Sequence, residues 1–482
     1  QDDMQVATAK AIEIVKAMVE QARRNEPLTP GEAQITRHTL VLGGGVAGIQ
    51  ATLDIADAGY PVVLVEREAQ LGGNVALQSG TYMNFNALPG LLDGLIERVT
   101  HHPNVQVLTQ SELTEVSGYL GNFEVGVAQH TIDEDGSTQD VPYTFDIGAV
   151  IIATGYQTLP LERLPMYGGG AIPDVIDGMG FEAMLNPDGP TGGKIVRPSD
   201  GRVPEHVVWV QCAGAREPAD TTEGVQYCSK VCCMTTAKQS LQYKAQVPGG
   251  QATVFYIDIR SAGLGYDEIV QRAMEEQDVL YLRGKVSKLF RRDGRVIVWG
   301  SDTLANLAVE LEADLVVLQT PMVPRHDATK VAQLVRLSHS ADGFFAEAHP
   351  KLRPVETFTA GVFLAGTAQA PRDIPETIAQ ASAAAAKVLG LFAQPKLVLD
   401  PAIAQVDTGI CSGCGVCMEV CPYDARAIDP WANVAVVNPA LCQSCGACVV
   451  ACPNKASSLI NARPDQVMAM VDVAMETEWA EG

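Results

Sequence analysis

The stretch Val41-Leu42-Gly43-Gly44-Gly45-Val46-Ala47-Gly48 decides the fold of the first part of the chain. It follows a short apolar run and precedes a helical pattern from Ile49 to Ala58. Strand, glycine turn and helix form the context that a G-x-G-x-x-G motif needs. Gly43 permits the tight turn, Gly45 lets the backbone approach a pyrophosphate, and Gly48 lets the helix pack closely on the strand. Because a helix N-terminus favours phosphate, the stretch predicts a dinucleotide-binding unit.

A second strand, Val62–Val65, ends at Glu66, and an acid at this point can bind a ribose hydroxyl. Arg67 follows it, and Gly72 and Gly73 come after five residues. This Glu-x5-Gly-Gly spacing resembles the FAD fingerprint of two-dinucleotide-domain flavoproteins of the glutathione and thioredoxin reductase type. The resemblance implies that these residues hold FAD. The alternative is an ordinary doubly wound domain with a glycine turn.

Two later strand ends resemble the points where the polypeptide chain of such flavoproteins leaves the FAD domain and returns to it. The apolar run from Ala149 ends in Ala-Thr-Gly and places Thr154 and Gly155 at its end. The run from Gly361 ends in a turn that contains Gly366 and Thr367. In the resembling flavoproteins an Asp usually occupies the place of Thr367.

A helix is predicted to start near Asp373, because Asp373 and Glu376 are spaced as a capping box and Pro375 falls in the first turn. In the resembling flavoproteins this helix N-terminus, here with Ile374, points at the flavin pyrimidine. Its dipole favours negative charge there. Arg372 precedes the helix and either adds positive charge near the ring or is a surface cation.

A second α/β domain is predicted from the strands Val207–Val210, Thr253–Ile257 and Leu315–Leu318. In pyridine-nucleotide flavoenzymes the first such strand leads into a second glycine motif. Here it runs into Gln211-Cys212-Ala213-Gly214-Ala215-Arg216, which lacks the glycine turn. We therefore expect no NAD(P)H site in this domain.

Eight of the twelve cysteines form two copies of C-x2-C-x2-C-x3-C-P at an offset of 31 residues. This is the two-cluster bacterial ferredoxin pattern, in which the fourth cysteine of each run binds the other cube. The pattern predicts two [4Fe–4S] clusters, with zinc as the alternative. The ligand sets are Cys411, Cys414, Cys417 and Cys452 for one cluster and Cys442, Cys445, Cys448 and Cys421 for the other.

The remaining cysteines are Cys212, Cys228, Cys232 and Cys233. Four thiolates are what one further cluster needs, although adjacent cysteines reach one cube only with a bent backbone. The alternative is a set of buried structural thiols. They lie where the missing nicotinamide site would have been, which suggests that the second domain has exchanged one redox function for another.

Over residues 38–465 the sequence resembles the flavin-containing heterodisulfide reductase proteins of the HdrA type and their bacterial relatives. The resemblance rests on these stretches: Gly43 to Ala51 with Val65-Glu66-Arg67, Tyr227-Cys228-Ser229-Lys230-Val231-Cys232-Cys233-Met234, Asp258-Ile259-Arg260, and Gly361 to Ala385. It implies that the four remaining cysteines bind an unusual third [4Fe–4S] cluster. Unlike the methanogen form, Ser79 to Asn86 contains no cysteine pair, and no ferredoxin domain is inserted after Gly121-Asn122-Phe123.

The predicted fold class is α/β: a thioredoxin-reductase-like flavoprotein with two dinucleotide-binding domains and a C-terminal α+β two-[4Fe–4S] ferredoxin module. The predicted segments are a helical arm at 1–37, the FAD domain at 38–160 and 331–395, a degenerate NAD(P)H-type domain at 161–330, the ferredoxin module at 396–465 and a helical tail at 466–482. Residues 161–202 look like a loop-rich crossing.

Composition narrows the functional classes. A net charge of −23 disfavours nucleic acid and anionic lipid as partners. The sequence has no uncharged apolar run of the length that spans a membrane, and we expect no signal peptide. Clustered cysteines in such a chain indicate metal rather than disulfides, which favours a cytoplasmic location.

These patterns predict an FAD- and iron–sulfur-containing electron-transfer component of a larger oxidoreductase complex. The resemblance implies a flavin capable of electron bifurcation and a homodimer within the complex. It also implies partners of the HdrB and HdrC type, or hydrogenase, formate dehydrogenase or quinone-reducing modules. Alternatives are a quinone-interacting or aromatic-ring-reducing complex, a self-sufficient NAD(P)H:acceptor oxidoreductase and a non-catalytic scaffold.

Overall fold

The computed structural model describes residues 4–85, 88–132 and 138–476. The sequence Asp133-Glu134-Asp135-Gly136 predicts a turn, and this segment lies outside the described residues. The chain forms two compact units. The large unit comprises Thr36–Ser117 and Asn122–Ala393, and the small unit comprises Gln1–Ile35, Gly118–Gly121 and Gln394–Gly482.

The described residues form eleven α-helices, none of which combines the length and hydrophobicity needed to cross a bilayer. The helices are α1 Met4–Arg23, α2 Val46–Asp57, α3 Leu88–His101, α4 Gly178–Leu185, α5 Cys232–Gln246, α6 Tyr266–Glu275, α7 Ala328–Val335, α8 Ile374–Phe392, α9 Val416–Glu419, α10 Ala447–Ala451 and α11 Pro464–Glu476.

The strands in the same described ranges are β1 Gly31–Ala33, β2 Thr39–Leu42, β3 Val62–Val65, β4 Val105–Leu108, β5 Ser111–Tyr119, β6 Asn122–Ile132, β7 Thr138–Ile147, β8 Ala149–Ile152, β9 Gln157–Thr158, β10 Val175–Asp177, β11 His206–Val210, β12 Gln251–Tyr256, β13 Leu280–Arg283, β14 Val286–Arg292, β15 Arg295–Asp302, β16 Leu307–Ala313, β17 Leu315–Leu318, β18 Met322–Val323, β19 Val362–Leu364, β20 Leu397–Leu399, β21 Ala404–Val406, β22 Arg426–Asp429, β23 Val434–Val437 and β24 Ser457–Leu459.

The first sheet of the large unit is parallel and has the strand order β19-β8-β2-β3-β4. Its inner strands are continuous apolar runs because both faces are covered. One face packs against α7 and the antiparallel sheet β5-β6-β7. Helices α2, α3 and α8 pack together and cover the other face.

The second sheet of the large unit repeats this plan. It is parallel, with the order β10-β17-β11-β12-β13. Helices α4, α5 and α6 pack on one face, and the antiparallel sheet β14-β15-β16 packs on the other. Two such layered sheets in one unit are the two-dinucleotide-domain architecture, so the predicted fold class is confirmed.

The segment 161–202 is more ordered than the sequence predicted. Its strand β10 is the edge of the second sheet and pairs with β17. Asp177 accepts a hydrogen bond from Gly180 N–H at 2.7 Å and caps α4, whose Phe181 ring packs edge-on against Trp209 at 5.5 Å between centroids. A three-residue strand is too short to show periodicity, and the many glycines and prolines concealed the helix.

The small unit contains the ferredoxin module, the arm and the tail. Its short strands pair as β21 with β24 and β22 with β23. Helix α1 packs against α11, and Gln466 of α11 donates to Arg24 O at 2.9 Å. The arm therefore packs on the C-terminal helix. Sequence periodicity did not predict this contact, because it identifies the apolar side of each helix but not which helix the side packs against.

The Gly48→Ala substitution should destabilise the large unit. An ideal Cβ at Gly48 would lie 1.8 Å from Gly43 O, so the turn would have to move. We expect a loss of about 1–3 kcal/mol of stability, measured as a lower thermal unfolding midpoint. Gly90→Ala is the control, because its Cβ would meet no atom within 4 Å. An unchanged midpoint for Gly48→Ala would show that the close packing of α2 on the turn is not required.

Candidate functional site

A cavity of about 610 Å³ opens at the carboxyl edge of the first sheet. Because the strands are parallel, the residues that follow them meet at this edge. Most of the residues predicted to bind FAD line the cavity: Gly43, Gly45, Glu66, Arg67, Gly72, Gly73, Thr154, Gly155, Thr367, Arg372 and Ile374.

The predicted residues Gly48 and Gly366 lie instead where elements pack behind the cavity wall. A Cβ at Gly366, where φ is +66°, would lie 2.8 Å from Ala47 Cβ on α2. Gly48 faces the carbonyl of Gly43 in the same way. Both glycines therefore shape the cavity through close packing.

The two glycine motifs contact each other directly. Gly72 N–H donates to Gly44 O at 2.8 Å, and a Cβ at Gly73 would lie 3.2 Å from Gly45 Cα. Gly45 itself is the N-cap of α2, and a Cβ there would meet no protein atom within 4 Å. Gly45 therefore presents bare backbone to the cavity, as a pyrophosphate site requires.

Glu66 is turned toward the glycine loop. Its carboxylate accepts hydrogen bonds from Gly44 N–H at 2.6 Å and from Glu68 N–H at 2.8 Å. A carboxylate has about four lone-pair sites, so it retains acceptor capacity for a ribose hydroxyl. Arg67 forms an ion pair with Asp327 at 2.6 Å, which fixes it in the cavity wall.

The N-terminus of α8 has the predicted capping box. Asp373 accepts from Glu376 N–H at 2.9 Å, and Glu376 accepts from Asp373 N–H at 3.2 Å. Arg372 is partly buried in the cavity wall and donates to Gln369 Oε1 at 3.0 Å. Burial lowers the pKa of Arg372. The helix end and this guanidinium both favour negative charge at this end of the cavity.

Elements of the second sheet hold the same helix end. Lys230 forms an ion pair with Glu376, and Tyr266 donates to Asp373 Oδ2 at 3.0 Å. Both residues of the capping box are therefore also bonded to the cysteine-bearing half of the large unit.

The cavity continues from the first sheet to the start of α5. Its far wall contains Cys232 together with Tyr82, Tyr156 and Lys238. One cavity is therefore lined both by the glycine loop and by one of the four cysteines outside the ferredoxin module.

The four cysteines lie at the carboxyl end of β11 and at the start of α5. Cys212 follows β11 with φ +56°, and Cys232 and Cys233 open α5. Burial raises the pKa of Cys212 to about 11. A hydrogen bond from Cys232 lowers the pKa of Cys233 to about 7. A helix N-terminus favours the thiolate form, which is the form that binds iron.

The surroundings of these thiols fit an iron–sulfur cluster. Lys230 N–H donates to Cys228 Sγ at 3.3 Å. Cys233 donates to Gln211 Oε1 at 3.4 Å, and Gln211 Nε2 is buried without an acceptor among the described residues. An unused buried donor beside four thiols suits a cluster sulfide, which accepts such hydrogen bonds.

In the ferredoxin module, Cys411, Cys414, Cys417 and Cys452 line one small cavity, and they are the set predicted for one cluster. Ala435 N–H donates to Cys411 Sγ at 3.4 Å, and Ala456 N–H donates to Cys452 Sγ at 3.2 Å. Amide donors to cysteine sulfur are a typical feature of iron–sulfur sites.

The other predicted set has matching donors. Ala404 N–H donates to Cys442 Sγ at 3.4 Å, and Ala425 N–H donates to Cys421 Sγ at 3.3 Å. Cys448 accepts from a side chain, and Cys445 is exposed. Within the described ranges no three His, Cys, Asp or Glu side chains converge on the position of a single ion. The four thiolates of a cube bind different irons and so stand farther apart.

Sequence reasoning missed a buried ion pair in the cavity wall. Lys238 Nζ lies 2.6 Å from Glu182 Oε2, and both side chains are only 2% exposed. Lys238 also donates to Gly80 O at 2.9 Å, and Gln239 donates to Glu182 Oε1 at 2.9 Å. Nothing in the sequence signalled this pair, because α5 is polar along much of its length and Lys238 is not distinguished from an exposed lysine. Removing one partner of such a pair typically costs about 3–5 kcal/mol.

Comparisons with known proteins cover both units. The family model described as FAD dependent oxidoreductase matches residues 39–148, and that described as 4Fe-4S dicluster domain matches residues 403–453. An A-type iron-sulfur subunit of the CoB--CoM heterodisulfide reductase of Methanopyrus kandleri is 36% identical over 88% of this chain and 75% of its own. The A-type subunit of the H(2):CoB-CoM heterodisulfide,ferredoxin reductase of Methanothermobacter thermautotrophicus is 36% identical over 90% of this chain and 76% of its own. The thioredoxin reductase structure from Lactococcus lactis has a TM-score of 0.48 and 16% identity, covering 74% of this chain and 99% of that one.

The Gly45→Val substitution should abolish FAD binding and leave the fold intact. The new side chain has room in the protein but projects toward the pyrophosphate position. The measurement is flavin released from the purified protein, with the iron content as a check on folding. Gly94→Val on α3 is the matched control, since its Cβ also has open space but lies outside the cavity. Normal flavin content in Gly45→Val would contradict the assignment.

Proposed function

The chain belongs to the HdrA family of heterodisulfide reductase proteins, and we propose that it carries electrons between FAD and three [4Fe–4S] clusters for partner subunits of a redox complex. It is an FAD- and iron–sulfur-dependent component of a heterodisulfide-reductase-like oxidoreductase. The observation that carries the finer proposal is the single cavity lined by both Gly45 and Cys232.

When bound, FAD supplies the exchange between two-electron and one-electron transfer. The chain supplies the binding groups. The glycine loop and the N-terminus of α2 bind the pyrophosphate, and Glu66 accepts from the ribose. The N-terminus of α8 and Arg372 stabilise negative charge at the far end.

Lys238 places its ammonium group in the cavity wall on the side of the cysteines. An ammonium has three donors, and two of them are directed to Glu182 and Gly80 O. Because Glu182 is itself held by Gln239, the ammonium is fixed in position. We propose that Lys238 orients the flavin ring system.

The second sheet supports the replacement of hydride transfer by electron transfer. After β11 the chain presents Cys212 in place of a glycine turn, and α5 begins with two cysteines in place of a phosphate-binding N-terminus. A cluster held by these four thiolates would adjoin the cavity at the position where a nicotinamide binds in related folds. Electrons would then enter or leave the cavity through this cluster, without a soluble hydride donor.

The ferredoxin module supports a connection to partner subunits. Cys414 and Cys445, one from each ligand set, are exposed. Both clusters would therefore approach the surface, where a partner can exchange electrons. The names of the relatives describe subunits of heterodisulfide reductases, and we propose a comparable assembly here.

The flavin should not be reduced by NADH or NADPH. No glycine motif follows β11, so a nicotinamide pyrophosphate has no cradle there. In an anaerobic titration, either nucleotide should leave the flavin absorbance oxidised, whereas a low-potential chemical reductant should bleach it. Rapid stoichiometric bleaching by NADPH would support the self-sufficient NAD(P)H oxidoreductase instead.

The proposed third cluster determines the iron content that we expect. Protein purified anaerobically should hold about twelve irons per flavin, at four irons for each of three cubes. Cys232→Ala should remove about four irons and leave the ferredoxin cluster signals in EPR spectra unchanged. Cys445→Ala, at an exposed ligand, is the matched control and should change those signals. Iron near eight per flavin, unchanged in Cys232→Ala, would assign the four cysteines as structural thiols.

A further inference from the structure

The ferredoxin module consists of two equivalent halves related by the offset of 31 residues. The strand pairing obeys this relation, since Val406 opposite Ser457 corresponds to Val437 opposite Arg426. The amide donors to sulfur obey it as well. The bonds to Cys411 and Cys452 match those to Cys442 and Cys421, so the backbone hydrogen bonds to sulfur are equivalent at the two cluster sites.

One buried position breaks the equivalence. Arg426 opens β22, and its counterpart at the start of β24 is Ser457. The guanidinium donates through Nη2 to Cys448 Sγ at 2.9 Å and to Ser457 Oγ at 3.3 Å. Arg426 is only 6% exposed. The Cys448 sulfur therefore accepts a hydrogen bond from a charged donor. The counterpart of Arg426 in the other half is Ser457, an uncharged residue whose hydroxyl accepts from Arg426 itself.

The other terminal nitrogen of the Arg426 guanidinium, Nη1, is buried and has no partner in the described part of the protein. A buried charged donor without an acceptor is costly. The sulfides of a cube held by the neighbouring cysteines would supply that acceptor, so the residue fits the group.

The inference rests on the ligand sets of the proposed function. We propose that Arg426 raises the reduction potential of one ferredoxin cluster above that of the other. The cluster with the higher potential is the one held by Cys421, Cys442, Cys445 and Cys448. Reduction adds one negative charge to the cube and its thiolates. A cation and a hydrogen bond at a ligand sulfur stabilise that charge. The first electron that enters the module therefore resides on this cluster.

Exposed charges also differ between the halves and act in opposite directions. Asp407 beside the first ligand set corresponds to neutral Asn438, which widens the difference between the two reduction potentials. Asp424 near Cys421 corresponds to Lys455, which narrows that difference between the reduction potentials. All four of these side chains are exposed, so solvent and salt screen them. The buried guanidinium in direct contact with sulfur is screened much less and determines the order.

The test is a redox titration of the full holo chain monitored by EPR. In the wild type the two ferredoxin clusters should be reduced in two separate steps. Arg426→Gln should lower the reduction potential of the first step by about 59 mV or more, which is a factor of about ten in the one-electron reduction equilibrium. Arg426→Lys keeps the charge and should retain most of the separation. Unchanged steps in Arg426→Gln, with iron content preserved, would overturn the inference.

A second measurement is independent of that variant and assigns the order in an otherwise wild-type chain. Cys445→Ser should change the signal that appears first, and Cys414→Ser should change the signal that appears later. The reverse order would overturn the inference even if Arg426→Gln fails to take up iron. A chain without any ferredoxin-type signal would instead refute the proposed function, so the two failures are distinguishable.

Discussion

The peptide of Gly44 is bonded on both sides, and the first half of the large unit depends on this constraint. Its N–H donates to the Glu66 carboxylate, and its carbonyl accepts from Gly72 N–H. These bonds join the turn after β2, the end of β3 and the second glycine motif into one wall. Side chains at Gly43 or Gly48 would collide with backbone in this wall, and a Cβ at Gly73 would lie only 3.2 Å from Gly45 Cα, whereas the Cβ position of Gly45 is open. The shape of the cavity follows from backbone approach more than from side-chain choice.

The features that the sequence predicted well are local. The glycine loop, the Glu66 position, the capping box at Asp373 and the repeated cysteine arrays are each encoded within a few residues. Strand ends could be placed because parallel strands deliver the residues that follow them to one edge. A helix start with a reciprocal cap is equally local, which explains why the start of α8 was predicted to within one residue.

The features that the sequence could not supply are contacts between distant segments. Lys238 and Glu182 are 56 positions apart and meet only because α4 and α5 pack on the same sheet. The Arg426 contact with Cys448 requires the crossed pairing of the two halves of the ferredoxin module. Neither pairing has a spacing rule, and a lysine or arginine in a sequence gives no indication that it is buried. The extra order in 161–202 was missed because short elements carry too few residues to show a period.

The bonds from Lys230 and Tyr266 to the cap of α8 tie the two sheets of the large unit together at the cavity. An enzyme that takes its electrons from a diffusing nucleotide must leave a path for that nucleotide to enter and leave on every cycle. The cluster proposed at Cys212, Cys228, Cys232 and Cys233 would stay bound, so no diffusing electron donor would have to enter between the two halves. In the proposed electron transfer, these bonds would hold the distance between FAD and that cluster constant. Tunnelling rates fall steeply with distance, so such rigidity keeps electron passage uniform from one event to the next.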